Sequence, residues 1–504
     1  MTSASPSLKL NIIANYTSQL YVTGVGILIL PLYIKYMGAE AYGLVGFFAM
    51  LQAWFAMLDL GLTPTIGRET ARYHGGSMCA LTYRQLLRAL TLIFVSIAFV
   101  GGGGLWSLAD TIAVKWLTVE TLSLDVVQFA IQVMAISVAL RWLCGLYRGI
   151  VTGSEKLVWL SVFNVFVATM RFVAVFVSMW LYGYTPTVFF IHQLFVALIE
   201  LLGLWGMSQL LIPKKNKIEG SIGWSFKPVK PVLKFALTIA FTSSVWVLVT
   251  QTDKLILSGI LPLEEYGYFT LAVLVASGIM VISGPVSSAI MPRMARLHAE
   301  GKRDELITVY RKSTQLVSVI AGSAAIVVAF CAESLLFIWT GDSALATNSA
   351  PILSLYAIGN GLLAISAFPY YLQYAKGNLR YHLIGNALIA IILIPSIIYA
   401  AKIYGGVGAG YVWLCLNFFY LFIWSSIVHK KFEPKLNFSW LINDCILLLL
   451  LPSITALFLM NFMSESPSKE EQLLDVILLS FVVISISLLS SKNIRNLIKN
   501  KIKS

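Results

Sequence analysis

Charged side chains are scarce in this chain. Asp, Glu, Lys and Arg make up 12% of its 504 residues, whereas 58% of the residues are apolar. A soluble domain carries about 25% charged residues, so charges this few do not cover a water-exposed surface of this size. We therefore expect lipid around most of the chain, and we predict an all-α, polytopic membrane protein.

Motifs for several kinds of chemistry are also missing. No G-x-x-x-x-G-K-[ST] sequence occurs, which argues against a P-loop nucleotide site. There is no H-E-x-x-H motif, no Cys/His metal-ligand spacing, and no C-x-x-C pair among the five cysteines. The sequence therefore predicts no catalytic residues, no metal and no cofactor. The net charge of +13 lies in short loops and not on one basic domain, so we expect no nucleic-acid partner.

Long apolar runs are abundant. A helix needs about 20 apolar residues to cross the hydrocarbon core of a bilayer, and fourteen segments have roughly that length. They lie at about 11–32, 42–63, 86–108, 124–146, 157–181, 186–212, 233–256, 266–290, 313–338, 350–372, 382–401, 407–428, 438–460 and 472–490. The first is expected to be a retained membrane helix and not a removed signal peptide, because no small-residue cleavage site follows it.

The lysines and arginines orient the predicted spans. With the N-terminus in the cytoplasm, 30 of the 36 lie in cytoplasmic segments, five lie on the other side and Arg171 lies within a helix. Cytoplasmic loops of membrane proteins carry this excess of positive charge. We therefore expect both termini in the cytoplasm.

One stretch of the sequence occurs twice. Residues 39–43 read AEAYG and residues 263–267 read LEEYG, 224 positions later, and the same offset pairs Arg88 with Lys312 and Gly153 with Gly377. Anchors spread this widely at one offset indicate an internal duplication. Six spans per copy is an even number, so both copies enter the membrane from the same side. The sequence thus predicts two parallel six-helix repeats, an arrangement found in transporters.

The repeat and the basic connection that divides it predict four regions. They are an N-terminal six-helix bundle (1–212), a basic cytoplasmic linker (213–232), a C-terminal six-helix bundle (233–430), and two additional helices with a basic cytoplasmic tail (431–504).

Charges within the predicted spans are the candidate site residues, because each costs about 2.5–3.5 kcal/mol at the bilayer centre. Arg171 lies near the middle of the fifth span. It is interpreted either as a cavity cation that receives a phosphate or acidic sugar, or as a partner of Glu200. Arg141 and Arg148 bracket the inner end of the fourth span. They either anchor the helix at the headgroups or make first contact with a pyrophosphate from the inner leaflet.

Two carboxylates are candidates for carrying a coupling proton or sodium ion. They are Glu200 in the sixth span and Asp59 at the end of the second, although Asp59 is alternatively a helix-end residue that pairs with a following arginine. Asp253 and Lys254 end the seventh span, either as a self-contained pair or as cavity groups. His192 is expected to be a satisfied interior histidine.

Three stretches resemble a known family. They are Pro31 with residues 38–43 (GAEAYG), residues 59–72 (DLGLTPTIGRETAR) and residues 251–257 (QTDKLIL). They are similar to segments of bacterial polysaccharide-repeat-unit flippases. These are the O-antigen flippase (Wzx) type of the multidrug/oligosaccharidyl-lipid/polysaccharide exporter superfamily. The resemblance covers about residues 8–430.

The resemblance implies a V-shaped pair of six-helix bundles that alternates between inward-open and outward-open states. It also implies the substrate, an oligosaccharide repeat unit of O-antigen or a related surface polysaccharide, such as that of lipopolysaccharide, on undecaprenyl pyrophosphate. Such a unit is flipped from the inner to the outer leaflet of the bacterial inner membrane. Implied partners are membrane lipids, H⁺ or Na⁺, and other polysaccharide assembly proteins. The two extra helices resemble the fourteen-helix arrangement of lipid II flippases.

Two other functions stay open at this point. An ion-coupled drug or metabolite antiporter of the same superfamily shares the fold and the repeat, but it favours a cavity carboxylate that holds cations. A membrane polysaccharide polymerase or glycosyltransferase needs catalytic residues that converge on one accessible site, often on a long outer loop. The predicted outer loops are short, and no enzyme is expected.

Overall fold

The computed structural model describes residues 8–59, 61–214, 222–461 and 468–491. These residues form α-helices joined by short turns and by π-helical turns. Helices satisfy the backbone N–H and C=O groups within one segment, which is what a hydrocarbon environment demands. The predicted all-α fold is confirmed.

The chain divides into two compact units, Met1–Gly267 and Tyr268–Ser504. The helices of the first unit are α1 (Leu8–Leu28), α2 (Leu30–Met37), α3 (Ala39–Met57), α4 (Leu62–His74), α5 (Ala80–Ser107), α6 (Ala109–Thr111), α7 (Leu124–Gly153), α8 (Leu157–Thr169), α9 (Val175–Tyr182), α10 (Pro186–Leu211) and α11 (Val229–Ser258). Helix α12 (Leu263–Ala299) begins in the first unit and extends into the second.

The helices of the second unit are α13 (Arg303–Phe330), α14 (Ala332–Thr340), α15 (Ser343–Ser366), α16 (Phe368–Ala375), α17 (Arg380–Phe419), α18 (Ser425–Phe432), α19 (Asn437–Trp440), α20 (Leu447–Met460) and α21 (Lys469–Ser490). Helices α20 and α21 contact each other and α13. The two C-terminal membrane helices expected from the sequence are therefore attached to this unit.

The number of membrane spans differs from the prediction. Within the described residues, ten helices are long and apolar enough to cross a membrane, or eleven if the bent pair of α3 and α4 is one span. Each of the fourteen predicted segments overlaps a helix, but the count of fourteen is not confirmed. The segment predicted at 382–401 lies in α17, and the segment predicted at 407–428 begins in α17 and continues into α18; Gly405 interrupts α17 between them with φ 57°. Helices α11 and α12 correspond to the seventh and eighth segments and are not among the ten.

The sequence repeat reappears in the helix boundaries. Helix α3 begins at Ala39 and α12 begins at Leu263, 224 residues later. Helices α5 and α13 each contain 28 residues and begin at Ala80 and Arg303, 223 residues apart. The duplicated segments therefore share helix starts at nearly one offset, and one pair also shares its length. The division into two six-helix bundles stays a prediction.

The two copies of the repeated motif contact each other within the first unit. A Cβ atom added to Gly43 would collide with the backbone carbonyl oxygen of Leu263, and one added to Gly267 would lie 2.9 Å from that of Ala39. Glycine at both positions lets the first turns of α3 and α12 approach backbone to backbone. The glycine that both copies of the motif carry therefore has a packing role in each copy.

Helix α7 is enclosed by other helices of the first unit. It contacts α3, α4, α5 and α10, and residues along its length such as Val127, Met134 and Ile150 are fully buried. An enclosed helix offers little water to a charged side chain. Arg141 and Arg148, which α7 carries, must therefore find partners inside the protein.

Candidate functional site

A sharp bend follows the second predicted span. Helices α3 and α4 are bent by 53°, and Gly61 at the start of α4 has a left-handed backbone with φ 68°. The Asp59 carboxylate accepts hydrogen bonds from the Thr63 hydroxyl at 2.6 Å and from the Thr63 backbone N–H at 3.1 Å. Asp59 is therefore bonded through Thr63 to the first turn of α4. The following arginine Arg72 bonds instead to Glu69, at 2.9 Å.

Arg171 lies in a π-helical turn, Met170–Ala174, between α8 and α9. Such a turn leaves carbonyl groups without their regular i+4 partner and is frequent at functional sites. The Nε2 atom of His192 lies 2.9 Å from the carbonyl of Met170, and the Gln193 amide donates to the carbonyl of Arg171 at 3.0 Å. Helix α10 therefore supports the turn that presents Arg171.

His192 has partners at both ring nitrogens. Its Nε2 must carry the hydrogen, because the carbonyl of Met170 can only accept. Its Nδ1 lies 2.8 Å from the Ser178 hydroxyl, which then donates to it. This is the arrangement of a satisfied interior histidine, and it leaves neither nitrogen for a proton relay.

A cavity of about 450 Å³ lies where α3, α4, α7, α10 and the π-helical turn meet. Ligand pockets span roughly 300–1,000 Å³. The lining includes two of the predicted cations, both predicted carboxylates and two further polar side chains: Arg141, Arg171, Glu200, Asp59, Gln52 and Trp142. Four residues singled out from the sequence thus meet at one site.

Glu200 joins two of the arginines. Its Oε1 atom accepts from Arg148 at 2.8 Å and its Oε2 atom lies 3.4 Å from Arg171. Arg148 does not line the cavity, and its second bond goes to Asn164 at 2.8 Å. Arg171 therefore pairs with Glu200 and also lines the cavity, and its role as a cation that receives a phosphate or acidic sugar stays a prediction. The 3.4 Å contact is the longer of the two, so Arg171 is the more weakly bound arginine.

Arg141 is held by neutral groups. It donates to the side-chain carbonyl of Gln52 at 2.6 Å and to that of Gln193 at 2.8 Å. Its guanidinium also lies 5.1 Å from the ring centroid of Phe48. Among the described residues, no carboxylate lies within ion-pair distance of it. Its positive charge is therefore solvated by amides and a ring but is not neutralised.

The unpaired buried polar atoms on the described lining residues of the cavity are all donors. Three buried N–H groups on its lining residues have no hydrogen-bond partner in the described part of the chain: Arg141 Nε, Arg171 Nε and Trp142 Nε1. Leaving a buried donor unpaired costs about 1–3 kcal/mol. The site is therefore suited to a ligand that brings acceptor oxygens, such as phosphates and sugar hydroxyls.

The charge around the cavity is not negative. The two arginines that line the cavity, Arg141 and Arg171, balance the two lining carboxylates, Glu200 and Asp59, and Arg148 adds a third guanidinium that contacts Glu200 from outside the lining. Both carboxylates already accept hydrogen bonds. A cavity arranged to hold an organic cation would need the opposite balance.

Asp253 and Lys254 are not brought to this cavity. They lie on α11, where the Lys254 ammonium group is 3.2 Å from the Asp253 carboxylate and donates to the Thr250 carbonyl at 2.8 Å. The two side chains therefore contact each other, as one of the two interpretations expected. Their assignment to a substrate path stays a prediction.

Sequence reasoning missed Gln52 and Gln193. Both hold Arg141, and Gln193 also supports the turn of Arg171. The available signal was a glutamine within an apolar run, since a buried amide must be hydrogen-bonded to be tolerated.

Comparison with known proteins identifies the family of this chain. The profile of a family described as polysaccharide biosynthesis protein matches residues 8–298, more than half of the chain. The chain belongs to this family. A Shigella flexneri protein described as "Putative O-antigen transporter" is 22% identical over 383 residues, which cover 75% of this chain and 87% of that protein.

Solved structures show the same fold. The lipid II flippase MurJ, in an inward closed conformation, aligns with a TM-score of 0.69 at 14% identity, over 97% of this chain and all of that one. An inward-facing multidrug resistance MATE family transporter of the MOP superfamily aligns with a TM-score of 0.67 at 12% identity, over 84% of this chain and 98% of that one. The predicted resemblance to superfamily flippases is confirmed. The chain is a multi-pass membrane protein of this family.

Proposed function

We propose that this protein flips a lipid-linked oligosaccharide from the inner to the outer leaflet of the bacterial inner membrane by alternating access. The substrate is a repeat unit of O-antigen or a related surface polysaccharide on undecaprenyl pyrophosphate, and both termini lie in the cytoplasm. Membership in the polysaccharide biosynthesis family and the similarity to a protein described as an O-antigen transporter support this proposal.

The donor-rich cavity is the observation that carries the proposal. Flipping needs no covalent chemistry, but it must lower the cost of moving a polar headgroup through hydrocarbon. A pyrophosphate and its first sugars supply acceptors for the guanidinium groups of Arg141 and Arg171, which line the cavity. A cavity of about 450 Å³ is in the range for such a headgroup portion, while the polyprenyl chain stays in lipid.

The geometry gives the three arginines different roles. Arg171 and Arg141 contact the phosphate, because both line the cavity and neither is closely paired: Arg171 has the 3.4 Å contact to Glu200, and Arg141 has no carboxylate within ion-pair distance among the described residues. Arg148 acts through Glu200, which it holds at 2.8 Å beside Arg171. When phosphate binds Arg171, it competes with the 3.4 Å contact to Glu200.

This competition supplies a route to ion coupling. When Arg171 binds the phosphate and releases Glu200, the Glu200 carboxylate becomes able to bind a proton or Na⁺. Binding of the phosphate and binding of the coupling ion are then linked through this one side chain. Asp59 is the second candidate carrier, and its bonds to Thr63 hold it at the cavity wall. Other polysaccharide assembly proteins remain expected partners.

The test is complementation in the native host. The gene is deleted, lipid-linked sugars and surface polysaccharide are measured, and wild type, Arg171→Ala or Arg380→Ala is reintroduced at matched protein level. Arg380 is an exposed arginine outside the cavity and serves as the control. We expect the deletion to lose surface polymer and accumulate lipid-linked units, with rescue by wild type and Arg380→Ala but not by Arg171→Ala.

A different outcome would favour the alternative function, an ion-coupled drug or metabolite antiporter. Unchanged polysaccharide in the deletion strain, together with altered drug sensitivity, would assign the protein to the antiporters and overturn the substrate. Rescue by Arg171→Ala would show that transport does not need Arg171, but it would not change the proposed substrate.

A further inference from the structure

A second concave site lies on the first unit, apart from the cavity. It is a groove of about 410 Å³ formed by α5, α7, the end of α10 and the segment that precedes α11. Leu146, Ile150 and Tyr147 of α7 line the groove, whereas Trp142 and Gly145 line the cavity. The two sites therefore lie on different faces of α7.

One end of the groove carries two arginines that form no ion pair with any acidic side chain of the described residues. Arg84 donates to the carbonyl of Pro213 at 2.8 Å, and Arg88 donates to that of Gly223 at 3.2 Å. Each guanidinium has five N–H groups, so most of its donors remain available. No acidic side chain is among the described lining residues.

The spacing of Arg84 and Arg88 favours the binding of an anion. Arg84 and Arg88 are four residues apart on α5, and like charges at this spacing destabilise a helix. The guanidinium of Arg88 also lies 4.8 Å from the ring centroid of Trp224. The ring and the two carbonyls fix the positions of both cations but do not neutralise them.

The other end of the groove is apolar and exposed. Leu92 and Val95 are 43% and 47% exposed, and both lie in the membrane span Ala80–Ser107. Val95 follows Arg84 by 11 residues, which is about 16 Å along a helix. Trp205 and Trp224 are exposed beside the groove, as tryptophans at a membrane interface commonly are.

We propose that this groove binds an anionic membrane phospholipid. The phosphate contacts Arg84 and Arg88, and an acyl chain lies along Leu92 and Val95. A charged end joined to an exposed apolar wall within a membrane span matches a lipid and not a soluble anion. The arginines lie on the predicted cytoplasmic side, where anionic lipids attract basic residues.

The test measures lipid binding to the purified full-length protein by native mass spectrometry. Phosphatidylglycerol and phosphatidylcholine are titrated separately against wild type, Arg84→Gln/Arg88→Gln and Arg380→Gln. We expect wild type and Arg380→Gln to prefer phosphatidylglycerol by roughly tenfold or more, and we expect the double variant to bind both lipids equally.

A second variant keeps both arginines in place. Val95→Trp fills the apolar end of the groove and leaves the contacts of Arg84 and Arg88 to Pro213 and Gly223 intact. We expect it to lose phosphatidylglycerol binding while its thermal unfolding without added lipid stays close to that of wild type. Unchanged binding by Val95→Trp, or by the double variant, would contradict the proposal.

Competitors separate the possible sources of the anion. Inorganic pyrophosphate that raises the unfolding temperature as much as phosphatidylglycerol does would make this a free-anion site and overturn the proposal. Undecaprenyl pyrophosphate that displaces phosphatidylglycerol at lower concentration would assign the groove to the transport substrate instead. Neither result depends on whether the protein flips sugars.

Discussion

Glu200 is the carboxylate on which the arginines of the cavity depend. It is 8% exposed at the side chain and holds Arg148 at 2.8 Å and Arg171 at 3.4 Å. Removing its charge leaves two guanidinium groups near each other without a carboxylate among the described residues. The loss of one partner of a buried pair is costly because the other charge stays desolvated.

We therefore expect Glu200→Gln to lower the free energy of unfolding by about 1–3 kcal/mol. Thermal unfolding in a fixed detergent or lipid mixture measures this. Glu470→Gln, at an exposed position on α21, is the matched control and should be neutral. Equal unfolding temperatures for the two variants would show that Glu200 does not hold the arginines.

Glu433 makes the second notable carboxylate contact, in the second unit and outside the membrane spans. It accepts from Arg303 at 2.6 Å and from Lys376 at 2.7 Å. Burial raises the pKa of Glu433, but the hydrogen bonds from these two cations outweigh burial and hold its pKa below the ordinary value. Glu433 follows α18, Arg303 begins α13 and Lys376 follows α16, so these contacts join three helix ends.

This lowered pKa predicts a pH dependence. A carboxylate with a lowered folded-state pKa stabilises the protein above the ordinary glutamate pKa of about 4.3, and the contribution is lost as pH falls through the folded-state value. Glu433→Gln should therefore unfold at lower temperature than wild type at pH 7, and the gap should close as the pH falls below the ordinary glutamate pKa and through the lowered folded-state pKa. A gap that persists at low pH would rule out an ionic contribution.

At the residue scale, charges were easier to predict than neutral partners. Arg141, Arg171, Glu200 and Asp59 were identifiable because a charge in an apolar run is expensive, and the structure brings all four to the cavity. Gln193 was missed because a neutral amide costs less and attracts less notice. The sequence left the side that each charge faces undecided, since helix rotation depends on packing.

At the scale of helices, the contact between the two repeat motifs depends on glycine. A side chain at Gly43 would meet the backbone of Leu263, which cannot rotate away. In contrast, a Cβ atom at Gly103 of α5 would have no neighbour within 4 Å. The two glycines therefore offer a matched pair of substitutions.

Gly43→Ala should destabilise the protein by about 1–3 kcal/mol through overpacking. Gly103→Ala should be neutral or slightly stabilising, because alanine is the better helix former. Thermal unfolding of both variants measures the difference. A Gly43→Ala protein as stable as Gly103→Ala would mean that α3 and α12 have no close backbone contact.

The two C-terminal helices are secured to the second unit by a buried polar network. Asp444 is fully buried and accepts from Arg311 at 2.6 Å and from Gln315 at 2.6 Å. We expect Asp444→Asn to cost about 3–5 kcal/mol, because it leaves Arg311 without its carboxylate. The exposed Asp110→Asn is the control in the same unfolding measurement. Equal stability of the two variants would contradict this role.

The sequence predicted where the helices lie, but it did not predict where they depart from regular α-helical geometry. Apolar runs of about 20 residues located a helix at every predicted span. The π-helical turn at Met170–Ala174 has no comparable signal, since its carbonyls are satisfied by His192 and Gln193 from another helix. The break at Gly405 was expected only as a loop between two spans, and it lies inside one long helical region.

At the scale of the whole molecule, membrane orientation rests on the charge bias, and a natural cysteine tests it. Cys79 is exposed and lies in the predicted cytoplasmic connection before α5. The hydrogen bond with Thr82 lowers the pKa of the Cys79 thiol, which favours the reactive thiolate. A membrane-impermeant maleimide should label Cys79 after permeabilisation but not in intact spheroplasts.

Two variants complete this experiment. Cys79→Ser should abolish the permeabilisation-dependent label. Ser343→Cys, at an exposed position in a predicted outer connection, should be labelled without permeabilisation. Labelling of Cys79 in intact spheroplasts would reverse the orientation and place the arginines of the groove on the outer side.

The most direct test of the central claim is transport by the purified protein in proteoliposomes. An undecaprenyl-pyrophosphate-linked oligosaccharide is incorporated, and the fraction that becomes accessible to an added, membrane-impermeant sugar-binding protein is followed over time. We expect wild type and Arg380→Ala to move the lipid between leaflets, and Arg171→Ala and Arg141→Ala to do so at least tenfold more slowly. Equal rates in all four proteins, or no movement above protein-free liposomes, would contradict the account.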